Sequence, residues 1–378
     1  MKYTFISVPA LGNKQNTFLN IKAKLTEYAE TNVFPIPDFK IGTLDALVLL
    51  SDDLAKYDTA FEQTVNKVAD IVRHFGSQGN QMLLVNEKSI DQYVRGFQWN
   101  TMKYRTDKSL QETTATLNQE VNAIDAIMKA KLNTYTQNKN ALQTLQRKQT
   151  GNLSVKNLNG IVKKQHCVLN SEYLTTVVVA VPKALYKQWN AKYETLTSMI
   201  VPRSSVKVAE DDEFGLFTVT LFQRVVDDFT HKAREERFIV RDFTYDEDAL
   251  KLQQEELDQV SSTESEQQGE LVRLACINFG ELFASWVHLK ALRVFVESVL
   301  RYGLPPDFAS VAIAAQPKFE KKVDDTLLAQ YGRLGGVHGQ HHSTGNQEEI
   351  LDHDLQSVND GSYRPYVQFD LLFDVEKA

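Results

Sequence analysis

The side chains whose types and spacing best suit chemistry are three histidines in Gly336-Val337-His338-Gly339-Gln340-His341-His342. Clustered imidazoles can seize a transition metal. A fixed metal site also needs rigid groups behind its ligands, and this cluster lies in a stretch, 332–360, rich in Gly, His, Ser and Asn, with no cysteine nearby. A mobile loop is expected there, and no metal. Acidic neighbours are plentiful: Asp52-Asp53, Asp211-Asp212-Glu213, Asp227-Asp228, Asp324-Asp325 and Glu348-Glu349. General acid–base work needs two carboxylates that converge in a cleft, whereas adjacent helical positions diverge by about 100°. Solvated faces and turns are the expected reading. His288 lies on an apolar helical stretch and reads as a core histidine. Cys167 and Cys276 lie far apart without metal-type spacing, which suits buried free thiols in a reducing compartment. No GxxxxGK[ST], GxGxxG after a strand, GxSxG or HExxH occurs, so no phosphate loop, nucleophile elbow or zinc helix is indicated. No catalytic residue and no cofactor is assigned.

With 378 residues the chain is long enough for two or three domains. Lys and Arg number 42 against 49 Asp and Glu, a net charge of −7. That balance argues against nucleic acid, whose phosphates call for a basic face. The most apolar segment, 279–302, carries Glu281, His288, Lys290, Arg293, Glu297 and Arg301. So many ionisable groups exclude it from a bilayer core, and no direct membrane insertion is expected. The first residues, Met1 to Val8, alternate like a strand rather than forming a signal block. A cytoplasmic protein is expected.

The elements that would position these groups are dominated by two long helices. From Met102 to about Thr150 there is no Gly or Pro, and Leu110, Thr114, Leu117, Val121, Ile124, Met128, Lys131, Tyr135, Asn138, Leu142 and Leu145 step alternately by four and three. This is a heptad seam with polar interruptions. A second run, Asp246 to Tyr302, places Leu250, Leu257, Val260, Leu271 and Leu274 on a similar stripe. Its register shifts near Asn278 and resumes through Leu282, Ser285, Leu289, Leu292, Val296 and Val299. It stops at Gly303-Leu304-Pro305-Pro306, where glycine caps and proline forbids continuation. The two runs are expected to form an antiparallel, solvent-bathed rod. Between them the pattern is βαββαβ: a valine-rich strand at 175–181, a helix through Trp189, Tyr193 and Leu196, and a hairpin around Asp211-Asp212-Glu213. A charged helix at 223–236, with Asp228–Lys232 and Lys232–Glu236 spacings, and a strand at 238–240 complete it. That order suggests a sheet with two helices on one face. The chain ends add strands near 3–8, 311–315 and 367–373 and helices at 44–75 and 319–331. Neither end alone supplies a stable sheet. The expected fold is therefore α+β and elongated, with a composite foot domain (1–100 plus 304–378), a helical neck (101–158 plus 246–303) and a head domain (159–245).

Several blocks resemble one family. They are Ile36-Pro37-Asp38-Phe39-Lys40-Ile41-Gly42-Thr43-Leu44-Asp45, Phe97-Gln98-Trp99, Leu169-Asn170-Ser171-Glu172-Tyr173-Leu174, and Val201-Pro202-Arg203-Ser204-Ser205. The segment 232–243 and, most specifically, the segment 289–305 also match. In order and coverage they resemble the C subunit of the vacuolar-type proton-pumping ATPase (V-ATPase). The resemblance implies a non-catalytic peripheral-stalk or stator component that clamps the soluble ATPase sector to the membrane sector and regulates their reversible assembly. It implies as partners the V-ATPase subunits E and G, which make the peripheral stalks, and the cytosolic N-terminal domain of the pump's membrane-sector "a" protein. It also implies a place on the cytosolic face of vacuolar or other endomembranes when assembled. A coiled-coil cytoskeletal or trafficking adaptor would share the rod but not these blocks. Within the head, the exposed helix faces offer Tyr186, Lys187, Lys192, Asp227 and Lys232 as candidate interface residues, since large polar side chains there suit interface contacts.

Overall fold

The computed structural model describes residues 2–10, 12–76, 83–169, 171–246, 249–335 and 364–374. In chain order the elements are β1 (Lys2–Pro9), α1 (Lys14–Leu25), β2 (Ala29–Val33), α2 (Leu44–Phe75), β3 (Leu84–Val85), β4 (Lys88–Ser89), α3 (Ile90–Arg95) and α4 (Leu110–Thr150). Then come β5 (Leu174–Pro182), α5 (Tyr186–Lys192), β6 (Val206–Glu210), β7 (Phe214–Phe222), α6 (Val226–Glu235) and β8 (Ile239–Arg241). The chain closes with α7 (Ala249–Tyr302), β9 (Phe308–Ala315), α8 (Glu320–Tyr331) and β10 (Val367–Leu372). The class is α+β, with antiparallel sheets. Two compact units divide the chain: Met1–Lys131 with Glu270–Ala378, and Leu132–Gly269. The boundary falls inside both α4 and α7.

In the first unit a four-stranded antiparallel sheet runs β10-β1-β9-β2. The chain's two ends share it, with Phe5 opposite Phe369 on one side and Ala312 on the other. Alternation along β1 sends Ile6 and Val8 toward Ile21 and Leu25 of α1 and Val323 and Leu327 of α8. On the other face Ser298 Oγ of α7 donates to Ser7 Oγ at 2.7 Å. The expected strands are present, and β2 adds a strand that the sequence pattern did not suggest. Its residues, Ala29-Glu30-Thr31-Asn32-Val33, are mostly polar, and its pairing to β9 makes it a strand. Helix α1 was likewise not apparent, because only Ile21 and Leu25 are buried on it. Removing 363–378 strips β10, its ladder bonds and its buried face from β1. Amide exchange along 3–8 is then expected to accelerate, and unchanged protection on exchange mass spectrometry would contradict this.

Two expectations for the long helices are corrected. Helix α4 starts at Leu110 rather than Met102, since Ser109 Oγ accepts the Glu112 amide and begins the helix there. The segment 279–299 of α7 is not a solvent-bathed rod: Phe279, Leu282, Phe283, Trp286, Val287, Leu289, Val294 and Val296 are all fully buried. A helix apolar on nearly every face belongs inside a core. Gly280 within it is a point of close approach, where a Cβ would stand 3.0 Å from the Leu84 carbonyl oxygen of β3. In the part of the helix pair lying in the second unit, Tyr135 Oη donates to Glu264 at 2.8 Å and Asn138 Nδ2 to Gln267 at 2.7 Å. These polar layers fix antiparallel register, because a slip would strand each group without its partner.

The second unit carries the sheet β6-β7-β5-β8, all antiparallel. Val177, Val179 and Val181 pack with Trp189 of α5, Tyr193 just after it, and Phe229 and Ala233 of α6. The opposite face was expected to be open and is covered: Leu153, Leu158 and Val162 close over Val178, Ala180 and Leu216. The unit also contains an internal repeat. The strand, 3-10 turn and helix β5–α5 recur forty positions later as β7–α6, so that Leu174, Lys183, Tyr186 and Trp189 correspond to Phe214, Gln223, Val226 and Phe229. Val178 pairs with its own counterpart, Thr218, at the centre of the ladder, which marks a local pseudo-twofold.

Candidate partner interface

The outer faces of α5 and α6 follow from which residues the core takes. Trp189 is fully buried and its Nε1 donates to Ser205 Oγ at 3.0 Å. Tyr193, Phe229 and Ala233 also point inward, leaving polar residues outside. Of the five candidates, Lys187, Asp227 and Lys232 are exposed. Lys192 is exposed as well, but its Nζ is bound 2.7 Å from Glu236 Oε1. Gln188 Nε2 donates to the other Glu236 oxygen. Glu236 is thus held across to α5 rather than along α6 to Lys232, and the Lys192 hydrogen bond draws its pKa below the usual carboxylate range. Tyr186 is half-buried, edge-on to Phe217 at 5.3 Å. Its hydroxyl sits where a Cβ on Gly215 would stand, 2.0 Å away. Tyr186 therefore serves packing, and burial raises its pKa.

The first unit holds two polar centres buried in its core. Asp58 of α2 accepts from Trp286 Nε1 at 2.7 Å, Lys290 Nζ at 2.8 Å and Arg293 Nη1. Lys290 Nζ also donates to the Asp370 carbonyl at 2.6 Å, and the Arg293 guanidinium lies 4.1 Å over the Phe369 ring. One carboxylate thereby joins α2, α7 and β10. The second centre is His288. Its Nε2 accepts the Asn100 amide at 3.1 Å, which leaves the proton on Nδ1, 2.7 Å from the Ala284 carbonyl. The Phe97, Trp99 and Tyr104 rings surround it at 4.9 to 5.0 Å. Burial pushes its pKa down to about 4. The core assignment for His288 agrees with this geometry. Asp58 carried no sequence signal beyond its place on the buried stripe of α2.

A cavity of about 520 Å³ opens beside Lys2, Tyr3, Asp91, Glu320 and Leu372. Its charges bind one another: Lys2 meets Glu320 at 3.0 Å, and Tyr3 Oη donates to Asp91 at 3.0 Å. Asp211, expected in a solvated turn, accepts the amides of Leu153, Glu213 and Phe214. It ties the β6–β7 hairpin to the covering segment. Cys167 and Cys276 are half-buried rather than buried, and desolvation raises both thiol pKa values. Among the described residues no cluster of three metal-ligating side chains occurs, and His338, His341 and His342 lie outside them. Among the described residues no helix is long and apolar enough to cross a membrane.

The family model of the V-ATPase C subunit matches residues 3–367. The chain belongs to this family. The V-type proton ATPase C subunit of Manduca sexta is 41 % identical over 384 residues, covering 100 % of this chain and 99 % of that protein. Its counterpart in Caenorhabditis elegans is 40 % identical over 378 residues, covering 99 % and 97 %. The V-type proton ATPase C subunit 1-A of Danio rerio is 43 % identical over 340 residues, covering 88 % and 89 %. In this member of the V-ATPase family, the block 289–305 spans the largely buried end of α7 and the exposed stop that follows Tyr302, and the block 97–99 walls in His288. The block 232–243 carries α6 into β8, and the block 36–45 leads to the Thr43 cap of α2, whose side chain accepts the Ala46 amide.

Proposed function

We propose that this chain is a non-catalytic stator component of a V-type proton-pumping ATPase, holding the soluble ATPase sector to the membrane sector and released when the two separate. The observation that carries this reading is the match to C subunits of such pumps over nearly the full length of both chains. In this reading 159–245 is a head that binds the peripheral stalk of subunits E and G, through the exposed α5 and α6 faces around Lys187, Asp227 and Lys232. The composite foot, 1–100 with 304–378, joined by the buried end of α7, would reach the cytosolic N-terminal domain of the membrane sector's "a" protein, and the rest of the paired helices would form a neck. The chain would sit on the cytosolic face of the acidified compartment. Holding partners at both ends lets two modest contacts act together, since the second binds at high effective concentration. Weakening either one then releases the whole.

The test is add-back of the full chain to pumps stripped of their C subunit. Restored coupling of ATP hydrolysis to proton uptake is expected. Failure to rejoin the complex, or ATP turnover by the isolated chain, would overturn the reading. An adaptor of cytoskeletal or trafficking type shares only the helix pair, and the family match does not favour it.

A further inference from the structure

Helix α2 changes character along its length. From Ser51 onward it is amphipathic, with Leu54, Asp58, Phe61, Val65 and Val68 buried on one stripe. In its first two turns apolar residues also continue onto the solvent side, flanking Asp45. Leu47 and Leu50 go into the core, while Leu44, Val48 and Leu49 point away from it and are 63, 50 and 66 % exposed. Three large apolar side chains grouped on the solvent side of a helix whose other side is already packed mark a surface suited to a further cover. Along this stretch of the chain the charge has a single sign. Asp45, Asp52 and Asp53 are exposed or half-exposed, and no basic residue occurs between Lys40 and Lys56. Lys56 is engaged with Asp53 at 3.4 Å, so within this stretch no basic residue offsets Asp45 and Asp52. The surface is also preorganised, because the buried stripe of α2 is fastened through Asp58 to α7.

We propose that the first two turns of α2 are a docking surface for a basic amphipathic helix of a partner protein in the pump. At about 100° per residue Asp45 and Asp52 fall between Val48 and Leu49. Such a helix would therefore set lysine or arginine against that acidic row and apolar residues against Leu44 and Val48 on one side and Leu49 on the other. Apolar anchors give such a groove its affinity. The acidic row between them excludes acidic helices and speeds encounter with basic ones. This assignment takes assembly into the pump as its setting and so rests on the function proposed above. It adds the surface used and the chemistry of what covers it.

The probe is the pump depleted of its C subunit, with the full chain added back. Leu49→Asp, and separately the pair Asp45→Lys and Asp52→Lys, are expected to weaken rejoining by about tenfold or more. All three positions lie on the solvent side of α2, so folding should be retained, which unchanged helical circular dichroism would verify. Leu19→Asp, at an exposed apolar position on α1, is expected to rejoin like the unaltered chain. A photo-crosslinking residue in place of Leu49 should capture a helical segment with interleaved apolar and basic residues. Normal rejoining by both α2 variants, or capture of an acidic segment, a second copy or this chain itself, overturns the docking assignment while leaving the proposed function standing. If the unaltered chain does not rejoin the pump, the proposed function falls and this assignment with it.

Discussion

Replacing Asp58 with Ala is expected to destabilise the first unit by about 3–5 kcal/mol, the cost of removing one partner from a buried ion pair. Asp58 is 6 % exposed and pairs with both Lys290, buried beside it, and Arg293, half-buried at the edge of the same core. Burial already lowers the Lys290 pKa, with Asp58 acting against that shift. Without Asp58, the Lys290 ammonium and the Trp286 indole N–H lose their acceptor while remaining out of water, and half-buried Arg293 loses its carboxylate. The cost spreads, because the same groups hold β10 through the Asp370 carbonyl and the Phe369 ring. Asp58→Asn should cost nearly as much, since an amide supplies an acceptor but no charge. Adding Lys290→Met to Asp58→Ala should recover part of the loss by removing one of the orphaned cations. Denaturant unfolding followed by indole fluorescence measures this, with hydrogen exchange along β1 and β10 as the local readout. A loss under about 1 kcal/mol for Asp58→Ala would show that water reaches the cluster.

Stability of the first unit is expected to fall as pH drops below neutrality, with His288 as a principal cause. Unfolded, the imidazole titrates near 6.5; folded, its pKa is about 4. Between those values the unfolded chain takes up a proton that the folded chain excludes, so acid favours unfolding. The His288 contribution is fully present above about pH 6.5 and is lost as pH falls toward 4. A difference of this size corresponds to a loss on the order of 3 kcal/mol. The physical cause is the enclosure of the ring by Phe97, Trp99 and Tyr104, where a charged imidazolium is poorly solvated. The Lys103 charge acts in the same direction and Glu281 against it. Protonating Nε2 would also replace an acceptor with a donor facing the Asn100 amide. His288→Gln should lose some stability at pH 7 but show a shallower decline between pH 6.5 and 4.5. An equally steep decline in the variant would assign the acid sensitivity to other groups.

The features legible in the sequence are those set by neighbours close along the chain. The 3.6-residue period from Leu44 to Phe75, opened by Thr43, marks α2 end to end. The four-three spacing marks the α4 seam, and Gly303, in the left-handed region at φ 83°, ends α7 where the sequence indicated. The valine run, the acidic hairpin turn and the two head helices give the βαββαβ order. The quoted blocks carry the family, since order and residue identity survive without coordinates. Tertiary structure decided whatever depends on partners far away in sequence. Polar β2 is a strand because β9 offers it a ladder 282 residues later, as in the Thr31–Ile313 pair. Asp58 looks like any surface aspartate until Lys290, 232 residues on, is brought to it. Glu236 has a lysine four residues back, yet binds Lys192, because the pseudo-twofold sets α5 beside α6. Local pattern reports the preference of a segment for helix or strand. Which face is buried, and which charges meet there, is fixed by packing between segments that the chain brings together only on folding.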